Sequence, residues 1–406
     1  MSPSEPEVQL KAFAAASQTL NQWYVGAQAL ALLRAALHAG ILVKLRETCT
    51  VAELAATTGR DGAWVADFCA ALCALGVVEA SDAGLRLAPA FLQLTAADAP
   101  QTLANTLATQ EARIRALAGC SAAKESLGGM SADDVLTVAL GIWGLPSSPA
   151  ALASFANVDT AMTEVRTLWE RGALHLELGC GAGRDLLHIA LLYPKVAVVG
   201  IDLSGEALEQ VMEQARALGI ADRVQVQQRD ACTVTDRARY DTIVWSQMYF
   251  PPETRRQAAR VAYRALKPGG YLLLPLQGEP PATLDALRTP AGQQVALSRL
   301  VFQSWGLRWY SAQEVRTEME QAGFEVVRVV PHPRTDYMVL RGMQLQPERR
   351  SLRRDASANE YGVPGITRVI RGGSGGRPAY CGVGTRLPAQ RDRHRPAGPT
   401  RRSQKD

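Results

Sequence analysis

From about residue 171 onward the chain alternates short apolar runs with amphipathic helical stretches. The sequence therefore predicts an α/β fold: a doubly wound, mostly parallel seven-stranded sheet preceded by a mainly helical domain. Two observations carry this. The apolar runs are strand-length, and the segments between them are long enough for a crossover helix, which a parallel pair requires. A third, a cluster of glycines at the first strand-to-helix turn, marks where such a sheet binds its ligand.

The elements follow in order. Residues 17–45 place apolar side chains at helical spacing (Leu20, Tyr24, Ala27, Leu30, Leu33, Leu37) and close at Gly40. Thr50 with Glu53 three residues later is a capping-box pair that starts the next helix. Residues 61–78 read as a second helix with Trp64, Phe68, Leu72 and Leu75 on one side. A two-stranded wing turning at Asp82, Ala83 and Gly84 completes a winged-helix pattern over residues 1–96. Residues 97–170 are mixed helical sequence with breaks at 128–130 and 145–149, read as a connector. The sheet domain spans 171–346, with strands at 174–180, 196–204, 223–231, 240–248 and 270–276. Two further strands, FEVVRVVP and DYMVLRGM, are separated only by HPRT and are expected to pair antiparallel at one edge.

The formal charge of +5 is unevenly spread. Residues 347–406 hold 14 Lys and Arg against 5 Asp and Glu, leaving 30 against 34 for the rest, so the basic character belongs to the tail. With RGGSGG and no apolar periodicity, that tail reads as a disordered appendage. A DNA reader needs cations on its recognition helix. Here that helix carries Asp61 and Asp67 with only Arg60 nearby, so the module is expected to pair two copies of the chain into a homodimer and not to bind nucleic acid. The start lacks the regions of a signal peptide and no apolar run reaches membrane length, which predicts a cytoplasmic protein with no membrane partner. Seven scattered cysteines form no disulfide framework, and no carboxylate–histidine cluster has metal-ligand spacing.

Gly179, Gly181 and Gly183 occupy the first strand-to-helix turn. Their spacing is GxGxG, and Arg184 stands where a dinucleotide fingerprint wants its third glycine, which argues against NAD. Asp202 ends the second strand, where a carboxylate can accept from both hydroxyls of a ribose. Asp230, followed by Ala231, ends the third, and its side chain or the adjoining backbone can meet an adenine edge. Glu177, two residues before the loop, can meet a cationic amino group directly or order the loop.

ELGCGAG, GIDLS, RDA, YDTIVWS and LKPGGYLLL resemble the successive motifs of class I S-adenosylmethionine-dependent methyltransferases, with a Rossmann-like sheet. With the winged-helix region, residues 17–343 resemble the small-molecule O-methyltransferases, which are typically homodimers acting on specialised metabolites. The resemblance implies S-adenosyl-L-methionine as cofactor. Glu177, Gly179, Gly181 and Gly183 would hold its methionine part, Asp202 the ribose, and Asp230 with Ala231 the adenine. Ser246 and Gln247 would lie near the sulfonium.

That family usually carries a segment like RHVLHDW after the fourth strand, whose second His is the general base. This chain reads SQMYFPP there, with Gln247 and Phe250 at the two His positions. A base from elsewhere, a substrate acidic enough to ionise unaided, or a carbon or nitrogen nucleophile would each suffice. Gln247, Tyr249 and Glu279 are the candidates for positioning the acceptor or moving its proton. The insert 277–310, with Trp305, Trp309 and Tyr310, is expected to cover the substrate. Two alternatives are a non-methylating use of the cofactor and a winged-helix regulator that senses it.

Overall fold

The computed structural model describes residues 5–96, 99, 101–119, 130–143, 152–153, 155–156, 161–331 and 335–342. The tail 347–406, the breaks at 128–129 and 145–149, and His332 lie outside them.

The first helix, α1 (Glu5–His38), begins twelve residues earlier than its apolar spacing predicts, and only Leu33 and Ala36 of its side chains are buried. After α2 (Ile41–Lys44), α3 (Val51–Thr58) starts on the expected capping box: Glu53 accepts from the Thr50 N–H at 2.7 Å, and Thr50 Oγ1 accepts from the Glu53 N–H at 3.2 Å. In α4 (Gly62–Ala74), Val65, Phe68, Cys69 and Leu72 are buried, whereas Trp64 is exposed beneath the Arg60 guanidinium. The buried face therefore keeps Phe68 and Leu72 of the predicted stripe, with Val65 and Cys69 in place of Trp64 and Leu75. Strands β1 (Val78–Ser81) and β2 (Gly84–Leu87) pair antiparallel, Val78 opposite Leu87. Ile41, Leu42, Leu54 and Leu72, each fully buried, anchor the core of this region. Each contributes about 1.5–3 kcal/mol of apolar burial.

Short α5 (Pro89–Leu94) leads to α6 (Leu103–Gly119) and α7 (Ala132–Trp143). These two helices do more than connect. Ala112, Met130 and Val138 share an apolar cluster with Met248, Val301, Phe302 and Trp305 of the sheet region.

After α8 (Thr163–Arg171), seven strands form one sheet: β3 (Leu174–Leu178), β4 (Ala197–Asp202), β5 (Val224–Gln228), β6 (Tyr240–Trp245), β7 (Leu266–Pro275), β8 (Phe324–Val330) and β9 (Tyr337–Gly342). Their order is β5-β4-β3-β6-β7-β9-β8. The first five are parallel, and β9 is antiparallel to both β7 and β8, as the short HPRT connection requires. The crossovers are α9 (Arg184–Leu192), α10 (Gly205–Ala217) and α11 (Pro252–Ala265); α12 (Leu284–Arg288), α13 (Pro290–Ser304) and α14 (Ala312–Ala322) lie between β7 and β8. Leu176, Leu178, Ile243 and Trp245 are fully buried between the helical layers. Because β3 is flanked by β4 on one side and β6 on the other, the strand order reverses there, and a crevice opens beyond the strand ends.

Candidate active site

That crevice holds a cavity whose space, open mouth included, is about 950 Å³. The glycine loop forms its floor. The Gly179 and Cys180 N–H groups donate to Ile201 O at 2.8 and 3.1 Å, tying the loop to the end of β4. Gly179, Gly181 and Gly183 have φ of 71°, 50° and 71°, in the left-handed region that side chains avoid.

The three glycines differ in what they face. A Cβ on Gly179 would lie 2.9 Å from Phe250 Cε2, and one on Gly181 would meet only Ala139 Cβ at 3.4 Å. Both residues line the cavity. Gly183 does not: a Cβ there would sit 2.7 Å from Val211 Cγ2, so this glycine serves the packing of α9 against α10. Regular spacing carries no mark of which glycine turns toward the neighbouring helix.

The three acids read at strand ends are all engaged with backbone. Glu177, buried on the cavity wall, accepts from the Leu186 N–H at 2.9 Å. Burial, and secondarily Asp185, hold its carboxyl well above the usual range. Asp202 accepts from the Gly181 N–H at 2.8 Å and the Ser204 N–H at 2.9 Å; burial raises it too, partly opposed by these bonds. Each carboxylate oxygen has lone pairs left for a ligand. Asp230 Oδ1 caps the Ala231–Thr233 turn through the Cys232 N–H at 2.8 Å, and it is Ala231 and Arg229 that line the cavity.

The candidates for acceptor chemistry separate. Ser246 and Tyr249 line the cavity. Gln247 is fully buried and turned away: its Nε2 donates to Pro275 O at 3.0 Å, and Arg255 donates to both its backbone and side-chain oxygens. Arg255 also pairs with Glu318 at 2.6 Å and lies 3.9 Å from the Tyr310 ring centroid, clamping the β6 end to α14. Nothing in a helix reading PETRRQ singles this arginine out. Glu279 is exposed, accepts from the Ala312 N–H at 2.8 Å at the start of α14, and is absent from the cavity wall. Neither residue lines the cavity, because the polar groups of both are used by neighbouring elements, which the sequence alone does not show.

Phe250, at the position of the expected base, is buried on the cavity wall with its ring edge-on to Trp245 at 5.4 Å. Trp305 and Trp309 pack around Phe302 and do not reach the wall. His175 and His188 are buried away from the cavity, and burial pushes both down to about 3, so they are neutral. Cys49, Cys69, Cys73 and Cys180 are free thiols. No helix among the described residues is long and apolar enough to cross a membrane.

Known proteins agree with this architecture. Residues 176–270 match the sequence model of a family described as a methyltransferase domain. Among curated proteins, the chain is 30% identical over 124 residues to Methyltransferase ungE' of Aspergillus campestris, covering 29% of this chain and 35% of that protein. It is also 30% identical over 123 residues to a tRNA (guanine-N(7)-)-methyltransferase of Chloroflexus aggregans, covering 27% of this chain and 54% of that one. The chain thus spans between a third and about half of these relatives. Among solved structures, a putative O-methyltransferase from Nostoc punctiforme superposes with a TM-score of 0.61 at 17% identity, covering 84% of this chain and 100% of that one. Human N-acetylserotonin methyltransferase in complex with S-adenosylmethionine gives 0.60 at 16% identity, covering 81% and 98%. The fold is that of the S-adenosylmethionine-dependent O-methyltransferases, and the match at 176–270 includes the glycine loop and the ends of β4, β5 and β6.

Proposed function

We propose that this protein is an S-adenosylmethionine-dependent methyltransferase acting on a small-molecule acceptor, of the kind found in specialised metabolism, without a histidine base. The observation that carries this is the pairing of a backbone cradle at Gly179 and Gly181 with a buried carboxylate, Glu177, and a half-buried one, Asp202, on one cavity wall. The residues fit the cofactor. Glu177 presents a desolvated acid to an ammonium group, Asp202 retains acceptor capacity for ribose hydroxyls, and Ala231 leaves room for a flat base beside the Asp230 turn. When bound, S-adenosylmethionine supplies a methyl carbon activated by its positively charged sulfur. The chain supplies alignment: Phe250 and the α7 side chains Val135 and Val138 make an apolar wall, and Ser246 and Tyr249 bring hydroxyls to it.

The exposed apolar side chains of α1, among them Phe13 at 70% and Trp23 at 66%, support pairing of two winged-helix regions in a homodimer. Phe250, which cannot accept a proton, favours as a second reading a reaction that uses the cofactor's charge without transferring methyl. Calorimetry with S-adenosylhomocysteine tests the cofactor site. Replacing Asp202 by Ala removes charge-assisted hydrogen bonds and is expected to weaken binding roughly ten- to a hundredfold; equal affinity in wild type and variant rejects the assignment.

A further inference from the structure

Arg184 is the first residue of α9 and follows the last glycine of the loop. A cation in the first turn of a helix opposes the helix dipole, which favours acids there, so the helix itself gives no reason for this arginine. Helical side chains lean toward the N-terminus, which carries Arg184 and Asp185 back toward the glycine loop. Both residues line the cavity together with Glu177. The Tyr337 hydroxyl, from the start of β9, donates to Asp185 Oδ2 at 3.2 Å and fixes that carboxylate from across the sheet. Glu177 is fixed to the same turn through the Leu186 N–H. The first turn of α9 thus gathers a guanidinium and two carboxylates at one end of the cavity. The other arginine on the wall, Arg229, follows β5, two strands away from β3 in the sheet, and donates to Thr233 O at 2.7 Å.

We propose that Arg184 and Asp185 read an α-amino acid zwitterion on the ligand: the Arg184 guanidinium donates to its carboxylate, and Asp185 joins Glu177 in accepting from its ammonium group. This rests on the methyltransferase reading and deepens it, because it assigns the residues that select a cofactor with an intact methionine end. The guanidinium fork matches a carboxylate through two parallel N–H···O bonds. Three acids line the cavity, Glu177, Asp185 and Asp202, and they repel a ligand carboxylate that has no cation beside it. Arg184 places that cation at the loop end of the cavity, and the acids that oppose the carboxylate suit the ammonium. Arg184 also favours the ionised form of Glu177, whereas Asp185 opposes it. Seating an ammonium between the two carboxylates removes that opposition.

The test is calorimetry on the full chain with three ligands that share the adenosine and a neutral sulfur. S-adenosylhomocysteine carries both the ammonium and the carboxylate, its decarboxylated form keeps only the ammonium, and methylthioadenosine lacks both. Wild-type affinity is expected to fall in that order. Arg184→Met is expected to weaken S-adenosylhomocysteine roughly ten- to a hundredfold and not to weaken the other two, and Arg184→Lys to keep part of the affinity. Asp185→Asn is expected to weaken the first two ligands and to spare methylthioadenosine. A merely structural role for either residue weakens all three ligands alike, and that result overturns the proposal. So does a wild type that binds S-adenosylhomocysteine no more tightly than methylthioadenosine, or an Arg184→Met variant that loses nothing; both leave the methyltransferase reading standing. Wild-type protein that binds none of the three overturns the methyltransferase reading, and this proposal with it.

Discussion

Replacing Gly179 by Ala places a methyl group where the structure has two separable objections to it. The first is conformational: at φ +71° an L-residue is in the left-handed region, at about 1–2 kcal/mol. The second is steric, because the new Cβ would lie 2.9 Å from Phe250 Cε2 and 3.4 Å from its Cζ. Phe250 is only 3% exposed and held edge-on by Trp245, so it cannot swing clear, and overpacking of this kind costs about 1–3 kcal/mol. The expected loss is about 2–5 kcal/mol. Gly181→Ala is the internal control, since it carries the same backbone penalty with ordinary contact at 3.4 Å, and should cost only about 1–2 kcal/mol. Phe250→Leu removes the clashing ring atoms. In a double-mutant cycle by urea denaturation it should couple favourably to Gly179→Ala by about 1–3 kcal/mol and not at all to Gly181→Ala. Equal costs for the two alanines, or no coupling to Phe250, would refute the role given to that ring.

Two further outcomes follow from groups named above. Burial raises the Glu177 and Asp202 carboxyls above their usual range in the unliganded protein, and a cationic ligand, by favouring the ionised form, opposes that rise. Binding of S-adenosylmethionine should therefore release protons and weaken as pH falls; calorimetry in buffers of different ionisation heat measures this, and proton uptake contradicts it. The unliganded fold shows the opposite slope, since a carboxyl raised on folding favours the folded state at low pH and loses that contribution as pH rises through the raised value. Finally, Arg255→Leu breaks the clamp between Gln247 and Glu318. Because Glu318 is partly exposed and can rehydrate, the cost should lie near about 3 kcal/mol, the low end for a broken buried pair; a neutral effect on the urea midpoint would show that α14 is held without it.

Much of the sheet was legible because buried parallel strands are written as apolar runs and their crossovers as amphipathic repeats. Leu174–Leu178 and Ala197–Asp202 needed no long-range information to be placed. That Glu177 and Asp202 line the cavity follows from their place at strand ends, which local sequence marks. What the sequence withheld depends on distance along the chain. Arg113 meets Ser298 across 185 residues, and Arg255 meets Glu318 across 63. Neither contact leaves a local pattern. The helical spacing of apolar side chains in α1 was legible, yet in the single chain Tyr24 and Leu30 remain exposed, since spacing marks side chains that need covering and not what covers them. Residues 97–170 read as a bridge because helices that wall a cavity look the same in sequence as helices that merely join domains.

Glu177 and Asp202 shape the glycine loop in the empty protein through bonds to Leu186, Gly181 and Ser204, and they do so from positions where their charge is least welcome. Keeping the site ready in this way costs the vacant form stability wherever those carboxyls are ionised. A ligand that relieves those charges stabilises the fold by mass action. In a cell, where small changes in stability alter how much of a protein escapes proteolysis, the standing amount of this protein would then follow the supply of its cofactor.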